Sequence, residues 1–303
     1  MTLLLSVIAL VSQTNDDRRM AVIDVHEWGV ITFDGCEAVL GTAPQALSDT
    51  VFDPGYPVVD RAPVVYFHGP EFSGRFTVDV PNGSIIDAWP FPSLRDENGC
   101  TWVITRAGWQ ELDSVNTPLV DRVGGWRAAP WRAPQTMTLV FEGPAYEKFV
   151  YYEAGFSDLS AFPITVRDGR LSIREGCGDI PVALVVPSAE GPLVTVTTAS
   201  RASSPIRALN NALVSGPADL HEVLMQWSVD VVDIEEVDAL WATWRDWFLN
   251  AGSREAAGSG GALLIYLLPA EDAEALSVLG LETDQAFDVR YGRYLLCALE
   301  MDL

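Results

Sequence analysis

Three histidines are present, His26, His68 and His221. The first two lie in strand-like apolar runs, Val22 to Phe33 and Pro63 to His68, and Glu27 directly follows His26. If the two runs are neighbours in one sheet, two neutral imidazoles and a carboxylate suit zinc or another divalent ion. His26, Glu27 and His68 are therefore candidate catalytic and metal-ligating residues for a metal-assisted hydrolase. Strand geometry opposes that grouping. Alternation gives His26 and Trp28 one face and Glu27 the other, so both could serve one ion only at a bulge near Gly29. The plainer reading makes His26 a half-buried strand residue, Glu27 an exposed or arginine-paired acid, and His68 a hydrogen-bonded strand end.

Other chemistry has less support. There is no Gly-x-Ser-x-Gly elbow, and Cys177, in Glu175-Gly176-Cys177-Gly178-Asp179, has no histidine nearby in sequence. A glycosidase needs only two spaced carboxylates, and 42 acids neither support nor oppose one. Of the four cysteines, Cys36, Cys100 and Cys177 sit in turn-like contexts and are disulfide candidates, with the pair left open. Cys297, in an apolar run, reads as a buried thiol, and the lack of CxxC spacing argues against a structural zinc site. Among ten tryptophans, Trp89, Trp109, Trp126 and Trp131 fall at strand ends or in loops, where they could form a platform for a sugar face. Packing ranks ahead of that role.

The elements that position these residues change rhythm near residue 200. Before it, β-branched and aromatic runs alternate with Gly, Pro and Asp turns, including hairpins at Asn82-Gly83 and Asp168-Gly169. After it, apolar residues recur at helical spacing. A helix is expected from Pro205 to Val214, another carries Leu220, Val223, Leu224 and Trp227, and a third carries Val237, Trp241, Trp244 and Phe248. Asp233 with Glu236 reads as a capping box opening that third helix. A strand at Ala262 to Leu268, a short helix from Glu271 to Val278 and one or two strands from Phe287 to Leu299 follow. The fold class is mainly β with an α/β C-terminal part: a β-sandwich-like region of about ten strands over residues 20–203, and an α/β region over 204–303 packing on it. The last strands are candidates to join a sheet built earlier.

A formal charge of -23 and a single lysine, Lys148, set nucleic acid aside, since phosphate contact needs a basic face. Residues 1–19 read as a signal or leader segment, with an apolar run from Leu3 to Val11 too short to span a bilayer; the alternatives are an internal start at Met20 or an N-terminal strand. His26-Glu27-Trp28-Gly29-Val30-Ile31-Thr32-Phe33, Pro63 to His68, Lys148 to Tyr152, Thr243 to Phe248 and Leu264 to Pro269 occur in that order. Together they resemble a family of uncharacterised, exported bacterial proteins with an N-terminal His-Glu-Trp-Gly-Thr-Phe-Thr signature. This chain departs from it with Val30 in place of threonine, and with Arg61-Ala62-Pro63 where the family has an acid. The resemblance implies export and a shared architecture, and it brings no substrate or mechanism.

These observations favour a noncatalytic, exported binding or structural module of a bacterial cell envelope, without a cofactor or a transmembrane span. A polysaccharide or an envelope protein would be its partner. The competing class is the metal-assisted hydrolase, with zinc or another divalent ion.

Overall fold

Alternation along one strand organises the molecule. The computed structural model describes residues 20–34, 37–40, 63–110, 129–143, 145–167, 170–186, 190–199, 218–249 and 261–302. The leader at 1–19, the helix expected at 205–214, the Asp168-Gly169 turn, Cys36 and Trp126 lie outside the described residues. Strand β1 (Val22–Asp34) sends Ile23, Val25 and Ile31 into one core and Trp28 and Val30 into another. Successive side chains of an extended strand leave opposite faces, so β1 serves as a wall between two cores.

In chain order the next strands are β2 (Glu37–Leu40), β3 (Val64–His68), β4 (Phe72–Asp79), β5 (Gly83–Trp89), β6 (Leu94–Arg95) and β7 (Gly99–Gly108). Then come β8 (Thr138–Phe141), β9 (Tyr146–Glu147), β10 (Val150–Phe156), β11 (Ile164–Arg167), β12 (Arg170–Ile173), β13 (Ile180–Val186) and β14 (Leu193–Ala199). The last three are β15 (Gly261–Leu267), β16 (Val278–Thr283) and β17 (Asp288–Asp302). The helices are α1 (Ala129–Arg132), α2 (Leu220–Trp227), α3 (Ile234–Leu249) and α4 (Ala270–Leu276).

The larger sheet runs β14-β13-β15-β17-β1-β2-β10-β3, with β5 added on β10 and β3 also paired to β1. The second runs β16-β4-β7-β8-β9, with β6 on β7, and β11 and β12 form a separate hairpin. Phe67 of the first sheet meets Phe76 of the second edge-on at 5.1 Å, and one apolar core spans both sheets. Helices α1, α2 and α3 cover the opposite face, where Val64, Tyr66, Tyr294 and Leu296 of the large sheet pack with Trp131, Leu224, Leu240 and Trp244, while α4 packs into the core between the sheets through Ala273 and Leu276. The result is a β-rich architecture of two packed sheets with a helical layer in the C-terminal third.

The tail is woven into both sheets. β17 pairs in parallel with β1 from Val22↔Asp288 to Thr32↔Ala298, and β16 pairs with β4. The boundary expected at 203/204 therefore does not separate two sheets, and the last strand joins the earlier one at its centre. β2, β6 and β9 were not expected, because two to four residues are too few to show an alternation. The helix expected to reach Val278 ends at Leu276, and β16 begins two residues later. Among the described residues, no helix is long and apolar enough to cross a membrane.

Candidate metal centre

His26 and His68 come together on the helical side of the large sheet. β1 and β3 run antiparallel with Asp24 opposite His68 and His26 opposite Tyr66, a diagonal relation that leaves the two imidazoles on one face. Their ring centroids are 4.7 Å apart. Above them stands the first turn of α3. Its Glu236 carboxylate accepts from His26 Nδ1, at 3.1 Å from each oxygen, and from His68 Nε2 at 2.7 Å. Asp233, the residue before α3, brings Oδ2 to 3.9 Å from His68 Nδ1. One ligand atom from each of His26, His68, Asp233 and Glu236 lies within 4.8 Å of every other.

The four differ in exposure. The Glu236 side chain is 0% exposed, the two imidazoles are largely covered, and the Asp233 side chain is 64% exposed. Burial lowers the affinity of His26 for a proton, yet its hydrogen bond to Glu236 and the charges of Glu236, Asp233 and Asp24 outweigh that, and its pKa rises above 6.5. Glu236 is the converse. Burial favours its neutral form, but the bonds and charges of His26 and His68 bring its pKa below 4.5. A buried carboxylate held ionised between two imidazoles is a donor set suited to a borderline divalent ion.

Several contacts fix α3 over the sheet. Tyr66 donates to the Trp131 carbonyl at 2.7 Å, and the Trp131 indole donates to Thr243 Oγ1 at 2.9 Å, so α1 ties the sheet to α3. Tyr294 donates to the Leu224 carbonyl at 2.8 Å and pins the end of α2. The turn between α2 and α3 presses on β17 at Gly292, opposite His26. A methyl group there would stand 2.0 Å from the Val231 carbonyl oxygen and 3.2 Å from His26 Cδ2. Glycine is what allows the turn to come this close.

Glu27 belongs elsewhere. The β1–β17 register runs unbroken through Gly29, so no bulge brings Glu27 round to His26. Its carboxylate lies on the face between the sheets, where the Tyr152 hydroxyl donates to it and Arg293 Nε donates at 2.6 Å. Arg293 also donates to the Ala273 and Ser277 carbonyls and to Ser277 Oγ. The grouping of His26, Glu27 and His68 is thus corrected to His26, His68, Glu236 and Asp233. The Asp233/Glu236 spacing was visible as a capping box. In the folded protein the Glu236 oxygens are taken by imidazoles from strands more than 160 residues away in sequence.

Among the described residues, Trp89, Trp109 and Trp131 do not form a tryptophan platform. Trp89 is 4% and Trp131 1% exposed, both within the core beneath the helices, because each indole packs among apolar side chains of the large sheet and helices. Trp109 is 57% exposed; its indole donates to the Gly69 carbonyl at 3.0 Å, and its ring lies 6.5 Å from that of His68. Cys100 and Cys177 are free thiols, as is the buried Cys297, so the expected bridge is absent among the described residues. Cys177 does not share the site of His68: it lies near Arg174, whose guanidinium bonds Asp272 in the first turn of α4.

No family model matches the chain, and no curated protein does. Among solved structures, the chain is similar to the Mu homology domain of Fcho1 from Danio rerio with a bound Eps15 peptide. The identity is 7%, the likeness covers 92% of this chain and 94% of that one, and the TM-score is 0.34. At this distance the likeness carries neither a ligand nor a site across.

Proposed function

We propose that the protein is a metal-dependent hydrolase, with zinc or a similar divalent ion held by His26, His68 and Glu236. The observation that carries this reading is the placing of one fully buried carboxylate between two imidazoles, with a second carboxylate, Asp233, on the solvent side. Three protein ligands beside a cleft would match catalytic rather than structural zinc sites, which leave room for water or substrate. Such an ion supplies Lewis acidity, polarising a substrate carbonyl and bringing the ionisation of water close to neutral pH. The chain's own residues do the rest. β1 and β3 hold the imidazoles in fixed orientation, α3 delivers Glu236, and Asp233 would take the proton of an attacking water and return it to the leaving group.

The exported location stays part of the proposal, supported by the apolar run at residues 3–11 and by the resemblance to exported bacterial proteins. Zinc binding tests the site. Elemental analysis after dialysis against zinc is expected to find one equivalent in the wild-type protein, and almost none in His26→Ala, His68→Ala or Glu236→Ala, with circular dichroism reporting that each is folded. A wild-type protein that retains no zinc overturns the proposal. Chelator-sensitive cleavage of carboxylic esters or amides then tests the hydrolytic step.

A further inference from the structure

Resting on the metal-centre reading above, we infer that the site takes a carboxylic ester or amide whose flanking group is apolar and uncharged or cationic, and that it turns anionic substrates away. A cleft of about 610 Å³ opens beside His68 and Glu236. Its lining includes Met225, Val229, Val232 and Ile234 from the end of α2, the following turn and the start of α3. Val229 and Ile234 are exposed, so this apolar wall faces the space a substrate would fill.

The charged groups of the cleft have one sign. Asp230, Asp233, Glu235 and Glu236 line it, and among the described residues no arginine or lysine does. The nearest amine, Lys148, already donates to the Pro134 carbonyl at 3.1 Å. Even with a dication bound, four carboxylates leave the cleft negative. An entering anion would therefore shed water without finding a cation among the described lining residues beyond the ion itself. The acidic rim is also held by backbone. Asp230 sits in the left-handed region at φ 63, which aspartate adopts more readily than most residues. The Gln135 amide donates to Glu235 at 2.8 Å.

The test uses three hydroxamates of equal chain length, ending in a methyl, an ammonium or a carboxylate group, titrated into the zinc-loaded protein by calorimetry. The methyl- and ammonium-ended probes are expected to bind about tenfold or more tighter than the carboxylate-ended one, because juxtaposed like charges penalise the anion alone. In the double variant Asp230→Asn/Glu235→Gln that gap should shrink to about threefold or less. Equal affinities in the wild type, no binding of any probe, or a gap that persists in the double variant overturns the inference. Zinc content measured on the same samples separates the two readings. A protein that holds zinc but ignores probe charge loses only the substrate class, and one that holds no zinc loses the metal centre and this inference with it.

Discussion

His26 and Glu27 are consecutive residues of β1 and enter two different polar clusters. On the inter-sheet face, Glu27 meets Arg293, its register partner on β17, and Tyr152. Every contact there is with protein, and Arg293 donates to three further acceptors, the Ala273 carbonyl of α4 and the carbonyl and Oγ of Ser277, with the Tyr152 hydroxyl 3.1 Å from Ser277 Oγ. On the helical face, Glu236 also satisfies both oxygens, but its partners are imidazoles, whose nitrogens bind protons or metal, and a cleft lies beside them. The two clusters are alike in burying one carboxylate and differ in what its partners can exchange. A guanidinium fixes charge permanently, whereas an imidazole allows the charge to be replaced. The first cluster holds β1, β10, β17 and α4 together; the second has the composition of a site.

The sharpest way to break the comparison is to remove one carboxylate at a time. Glu27→Ala should cost about 3–5 kcal/mol in urea unfolding, because Arg293 is then buried unpaired. Zinc uptake by the fraction that remains folded should persist. The double change Glu27→Leu/Arg293→Met should cost clearly less than the sum of the single changes. Glu236→Ala reverses the pattern. Its stability loss should be about 1–3 kcal/mol, while zinc affinity should fall by more than the roughly 10–100-fold typical of losing an outer partner of a ligand. Calorimetric titration measures that fall.

A smaller effect is expected from Gly292→Ala, which pushes the Val231 carbonyl away and moves the turn that carries Asp230 and leads into α3. About 1–3 kcal/mol of stability should go, together with a measurable weakening of zinc binding, read by the same titration.

Titration sharpens the contrast further. In the metal-free protein the raised pKa of His26 contributes stability that is complete below 6.5 and is lost as pH rises through its folded value. The lowered pKa of Glu236 contributes stability that is complete above 4.5 and is lost as pH falls through its folded value. Both contributions are therefore full between those two pH values, where thermal denaturation should show the metal-free site at its most stabilising. Zinc, which competes with protons for the imidazoles, should raise Tm most above that window and least below it. A zinc-dependent Tm shift that is flat from pH 5 to 8 would contradict this. Least affected should be Trp109→Ala, which is expected to change unfolding stability by no more than about 0.5 kcal/mol because the indole is mostly in water.

Alternation alone told that His26 and Trp28 share a face and that Glu27 does not, and the structure keeps that division. What no local pattern could tell is which distant carboxylate completes the pair of histidines. Glu236 is 210 residues from His26, and its spacing from Asp233 has an ordinary local explanation at a helix start. The burial of Trp131 was equally hidden. Its neighbourhood of Pro, Arg and Ala reads as a loop, yet four residues of helix and two hydrogen bonds seat it under α3. The stripe of Leu220, Val223 and Leu224 was legible because helical spacing is a repeated signal. Single long-range contacts repeat nothing, and so leave no trace in a lone sequence.

The parallel pairing of β1 with β17 has a consequence for synthesis. As the chain emerges from a ribosome, the flank of β1 that will meet residues 288–298 has no mate until nearly 270 further residues have been made. Its row of amides and carbonyls must wait, protected by solvent, chaperones or temporary neighbours. Truncated products lacking that last strand would therefore expose the middle of the largest sheet, and proteolysis should clear them faster than the finished molecule.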